Sequence, residues 1–192
     1  MAIYIDGGYF EQISRQLGVR VHFAKFVDEI LNIVTDRTSG TLDLLRTYYY
    51  DSLPYQGDPA TQEESERFAR KRSFFQVLRR IERFQVREGR LALRGYDQSG
   101  RPMFQQKRVD LMLGLDFALL SSKRQITHAV LIAGDSDFIP AVEVAKQEGI
   151  AVWLFHGPGR TSERRSTHAE ELWVAADVRF ELTREFLSRS AM

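Results

Sequence analysis

Four aspartates stand where an α/β chain places reactive groups. Asp6 closes the apolar run Ala2–Ile5, Asp135 and Asp137 follow the apolar run His128–Ala133, and Asp110 opens a nearly continuous stretch of Leu, Met, Phe and Ala. Carboxylates brought within a few ångströms repel one another, and a hard divalent cation with oxygen ligands relieves that repulsion. Such an ion lowers the pKa of a bound water and neutralises charge building up on a phosphoryl group. The chemistry expected of Asp6, Asp110, Asp135 and Asp137 together is therefore hydrolysis of a phosphate ester with Mg²⁺ or Mn²⁺. Each acid alone has an ordinary role: Asp137 as a helix N-cap, Asp110 as a first-turn acid, Asp6 as a turn residue before two glycines. Their joint placement at strand and helix ends carries the argument. Asp116, six residues after Asp110, lies about 240° further around the helix axis and points elsewhere.

The elements that must position these groups alternate between strand and helix, which predicts an α/β domain with a mostly parallel sheet. Strands are expected at Ala2–Ile5, Leu42–Tyr50, Val86–Arg94, His128–Ala133 and Ile150–Phe155. Helices are expected at Tyr9–Leu17, from Phe23 to about Asp36, and at Gln62–Phe84, Val109–Ser121, Phe138–Glu148 and Phe180–Leu187. Gly95–Lys107 reads as a polar loop. The apolar content of Val109–Ser121 requires burial on most sides. In open parallel sheets ligands bind beyond the carboxyl ends of the strands, where chain order reverses. Neighbouring first and His128 strands would bring Asp6, Asp135 and Asp137 together there.

Charge is distributed unevenly. Lys and Arg number 27 against 26 Asp and Glu, yet Arg67–Arg108 holds a surplus of +10 and leaves −9 on the remainder. A basic segment on an acidic body can draw a polyanion towards an acidic site, or can be a solvated helix face. Lys107, Arg108 and Arg101 lie closest in sequence to a candidate acid and are the expected phosphate contacts, with Ser136 as a hydrogen-bond donor. Arg67–Arg83 could line a groove, Tyr48–Tyr50 could stack on unpaired bases, and Arg160, Arg164 and Arg165 form a second basic loop. The four histidines have no ligand spacing, and the absence of Cys removes thiolate metal sites and cysteine nucleophiles. No basic, apolar leader and no membrane-length apolar run is present, so a cytoplasmic protein is expected, and 192 residues suit one domain.

The segments Ile5-Asp6-Gly7-Gly8-Tyr9, Lys107-Arg108-Val109-Asp110 and Val130–Phe138, which contains Gly134-Asp135-Ser136-Asp137-Phe138, resemble the NYN-domain family, the LabA-like branch of the PIN-like nucleases. The resemblance spans nearly the whole chain and is least at Gln56–Pro102, which reads as a basic insertion at about residues 56–106. It implies a PIN-like three-layer α/β/α domain that cleaves RNA at a site of Asp6, Asp110, Asp135 and Asp137 holding Mg²⁺ or Mn²⁺. Asp116 belongs to the same helix in the family pattern and is a second-tier ligand. RNA is the implied partner, a membrane is not, and association with a second copy is compatible with the sequence. Many relatives carry Asn two or three places after the first Asp, where this chain has Gly8 and Tyr9. An RNA-binding or regulatory module without turnover is therefore the alternative reading. A haloacid-dehalogenase-type phosphatase ranks last, because position 8 is Gly where that chemistry needs a second Asp. No GxGxxG opens a helix, which disfavours a dinucleotide enzyme.

Overall fold

A computed structural model describes residues 1–96, 99, 102–159 and 166–192. The chain runs β1 (Ala2–Asp6), α1 (Gly7–Leu17), α2 (Phe23–Asp36), β2 (Arg46–Ser52), α3 (Gln62–Leu78), β3 (Phe84–Tyr96), β4 (Pro102–Lys107), α4 (Val109–Ser122), β5 (His128–Ile132), α5 (Ile139–Gln147), β6 (Ala151–His156), α6 (Glu170–Ala175), β7 (Val178–Glu181) and α7 (Arg184–Arg189). A 3₁₀ turn, Ser136–Phe138, precedes α5. The sheet order is β4-β3-β2-β1-β5-β6-β7, with every neighbouring pair parallel except β3–β4. From β1 the chain winds outward through β2 and β3, then returns to lay β5 against the other side of β1. The order therefore reverses between β1 and β5, and that switch point is where an open α/β sheet leaves a crevice.

Alternation along the strands divides the core into two layers. Ile3 and Ile5 of β1, with Tyr49, Val86, Ile132 and Phe155, pack beneath α1, α2, α3 and α7. Ala2 and Tyr4, with Tyr48, Tyr50, Leu131 and Leu154, pack beneath α4, α5 and α6. The expected three-layer α/β/α arrangement is the one observed, and the tyrosine run is part of its core. Tyr48, Tyr49 and Tyr50 are 7%, 2% and 0% exposed, so none offers a face to a base.

Several boundaries differ from the sequence reading for identifiable reasons. Residues 102–107, expected in a loop, form β4 and pair antiparallel with β3, from Arg90 opposite Lys107 to Tyr96 opposite Pro102. The sequence of residues 95–107, with Gly100 and Pro102 and no apolar alternation, carries no strand signal of its own. The third helix stops at Leu78 rather than Phe84, because Arg83 enters the left-handed region at φ 54 and Thr47 donates its N–H to the Arg83 carbonyl, starting β3. Its N-terminus carries a capping box in which Thr61 and Glu64 satisfy each other's backbone N–H groups. Phe180 belongs to β7, not to the terminal helix, since Val178–Glu181 find a free edge on β6. The α4 helix is not buried on most sides: Leu111, Leu115 and Leu119 form an exposed ridge, at 65%, 52% and 50%.

Candidate active site

Asp6 ends β1 and caps α1 in one step, accepting the Tyr9 N–H at 3.1 Å. The expected turn at Gly7-Gly8 is absent; both glycines already belong to the helix. Gly7 is required by space, because a Cβ there would lie 2.7 Å from the Tyr49 ring and 2.8 Å from an Asp51 carboxylate oxygen. Asp135 follows β5 and accepts the Asp137 N–H at 3.1 Å, so Asp135, and not Asp137, is the capping residue of the 3₁₀ turn. Gly134 lets this turn descend onto Tyr9, whose ring a Cβ would meet at 2.4 Å. Asp110 occupies the first turn of α4, which Arg108 opens from a left-handed conformation at φ 77. A non-glycine residue held there stores about 1–2 kcal/mol of backbone strain.

Electrostatics record which of these groups meet. Burial pushes the Asp6 carboxyl up to about 6; the Tyr9 N–H opposes this, and the charges of Asp110 and then Asp51 add to it. Asp110 is raised by partial burial and then by Asp135 and Asp137. Asp110 thus shares a negative field with Asp6 on one side and with Asp135 and Asp137 on the other. Among the described residues none of the four makes an ion pair. Nor do three or more Asp, Glu or His side chains among those residues gather tightly enough to hold a metal ion. The four acids are neighbours in charge and not a coordination shell, as expected of carboxylates that repel one another. In donor chemistry they fit a hard divalent cation: carboxylate oxygens only, with proton affinity raised in two of them.

The other predicted residues divide. Arg108 is exposed two positions before Asp110, and Ser136 is half-buried between Asp135 and Asp137. Lys107 is placed by its backbone at the end of β4. Arg101, Arg160, Arg164 and Arg165 lie outside the described residues. Tyr9, which with Gly8 stands where the family resemblance implies Asn, is turned into the core: its hydroxyl accepts the Gly157 N–H at 2.9 Å and lies 3.4 Å from the Thr167 hydroxyl. Asp116 is not free for a cation, because Arg87 pairs with it at 2.9 Å and the Tyr50 hydroxyl donates to it at 3.0 Å.

Sequence reasoning missed Asp51 and Lys71. Asp51, 5% exposed near the end of β2, pairs with Lys71 of α3 at 2.6 Å, and Lys71 reaches Glu11 of α1 at 3.0 Å. Part of the basic segment therefore serves the acidic body internally: Lys71 through this triad, Arg87 through Asp116 and Arg83 through Asp43. No local signal could reveal this, since each partner is distant in sequence. The composition of β2 hinted at part of it, because an acid after three buried tyrosines requires a counter-charge.

The family model described as the NYN domain matches residues 1–181. No curated protein and no solved structure gives a significant match.

Proposed function

Because the chain belongs to the NYN-domain family, within the PIN-like nuclease superfamily, and so carries a nuclease-like function, we propose that it is a metal-dependent ribonuclease hydrolysing RNA phosphodiesters. The observation that carries this reading is the unneutralised field of Asp6, Asp110, Asp135 and Asp137 at the switch point of the sheet. These four residues would hold Mg²⁺ or Mn²⁺. The ion, when bound, supplies a polarised water and offsets the phosphate charge. The chain's own part is orientation. The Tyr9 N–H holds one Asp6 oxygen, and the Asp137 N–H holds one Asp135 oxygen. Each carboxylate keeps its direction without cost at the moment of reaction. Arg108, Lys107 and Arg101 would meet the phosphates of the incoming strand, and Ser136 would donate a hydrogen bond to one of them. The preference for RNA follows from the family.

Binding without turnover is the second reading, favoured by the burial of Tyr9, which with Gly8 stands where the family resemblance implies an amide. One assay separates the two. Purified wild-type protein should cleave single-stranded RNA in Mn²⁺, stop in EDTA, and lose activity as Asp135→Asn. Tight binding with no cleavage in any divalent ion supports the second reading, and undiminished cleavage in excess EDTA rejects the metal mechanism.

A further inference from the structure

A cavity of about 750 Å³ opens between α1, the end of β2 and α3, within the range of about 300–1,000 Å³ typical of small-ligand sites. Its floor is aromatic. Phe74 is half-buried and packs edge-on against Tyr49 at 5.8 Å, with Phe23 at 5.7 Å from it. Its rim carries Arg67 and Arg70, held only by exposed i,i+4 pairs with Glu63 at 3.9 Å and Glu66 at 3.6 Å, which are worth little and exchange readily. Ser52 also lines it, 7% exposed, with a hydroxyl that has no hydrogen-bond partner among the described residues. An unpartnered buried hydroxyl is destabilising unless something completes it.

The cavity adjoins the acidic site through one charge relay. Glu11, on its wall, holds Lys71; Lys71 holds Asp51; and an Asp51 carboxylate oxygen lies 2.8 Å from where a Cβ on Gly7, the residue after Asp6, would stand. Positive rim, aromatic floor and a lone hydroxyl together match a nucleotide: phosphates outside, base inside, one polar edge to satisfy. A purely apolar ligand would leave Ser52 unpaired and the arginines unused.

We propose that this cavity is a base-binding subsite for single-stranded RNA. It receives an unpaired base flanking the cleaved phosphate against Phe74, with Ser52 bonding the base edge and Arg67 and Arg70 taking adjacent phosphates. The proposal rests on the nuclease reading for its substrate class, but its test does not require turnover. The Asp135→Asn protein is titrated with a short fluorescent RNA and with an abasic ribose–phosphate strand of the same length. Phe74→Leu keeps apolar volume and removes the ring. It should weaken the base-bearing strand about tenfold and leave the abasic strand within twofold. Arg70→Glu, at an exposed position, should weaken both strands and lower the slope of affinity against salt by about one. Equal affinity for the two strands, or equal loss from both in Phe74→Leu, overturns the subsite. If wild-type protein nonetheless cleaves RNA in Mn²⁺, the nuclease reading survives that loss. Base-dependent binding sensitive to Phe74→Leu in a protein that never cleaves supports the subsite and removes the nuclease reading alone.

Discussion

The aspartates at and beside the C-terminal edge of the sheet fall into two groups by what faces them. Asp51 and Asp116 each have a cation at hydrogen-bonding distance, Lys71 at 2.6 Å and Arg87 at 2.9 Å, and they tie α3 and β3 to the rest of the molecule. Asp6, Asp110, Asp135 and Asp137 have no such cation among the described residues, and Asp110 instead feels the charges of Asp135 and Asp137 and adds its own to Asp6. A folded protein rarely retains uncompensated like charges without use for them, since each raises the cost of ionising its neighbour. The paired acids explain architecture, and the unpaired ones are those to which the proposed metal site is assigned.

The strongest way to break this comparison is to remove one charge from each group. Asp135→Asn should reduce Mn²⁺-dependent RNA cleavage by at least about a hundredfold, as loss of a transition-state-stabilising group does elsewhere. Asp116→Asn should leave the rate within a few-fold, and a comparable loss there would merge the two groups. Stability should show the reverse pattern. Asp51→Ala strips half-buried Lys71 of its nearest anion, and urea denaturation should show a loss of about 3 kcal/mol, towards the lower end for a broken buried pair because Lys71 is partly exposed and Glu11 remains.

Asp6 sharpens the contrast through pH. Its folded carboxyl sits at about 6 against an ordinary value of 3.8, so the folded state prefers the neutral form. The penalty is absent below the ordinary value, grows as pH rises from there to about 6, and is constant above. In EDTA, Asp6→Asn should therefore stabilise the protein by about 3 kcal/mol at pH 8 and by next to nothing near pH 3.5, as followed by denaturant midpoints. Asn can still cap α1, so the comparison isolates the charge. The smallest expected effect is at Tyr9. Tyr9→Phe removes the acceptor of the Gly157 N–H and should lower stability by about 1 kcal/mol while leaving cleavage unchanged; a large loss of cleavage would return Tyr9 to the site.

The helices α1, α2 and α4 and the strands β1, β5 and β6 are legible in the sequence because their apolar spacing reflects strong one- or two-sided burial. The strand Val86–Arg94 is legible within β3, but β4 and the short edge strand β7 are not, because pairing at a sheet edge needs backbone partners more than apolar side chains. The candidate acids are legible for a related reason: the sequence shows which carboxylates end a strand or open a helix. It could not show that Asp137 lies inside the 3₁₀ turn while Asp135 caps it, since both are compatible with the same five residues.

Residue order by itself determined the α/β alternation, the family, and the positions of Asp6, Asp110, Asp135 and Asp137 at the ends of elements. Tertiary structure alone decided which acids acquire a cation, that Tyr48–Tyr50 and Tyr9 are core, and that the ridge of α4 faces outward. Periodicity and capping are local and are written in neighbouring residues. Charge neutralisation joins groups tens of residues apart, such as Lys71 to Asp51 and Arg87 to Asp116, and exists only once the sheet has brought them face to face.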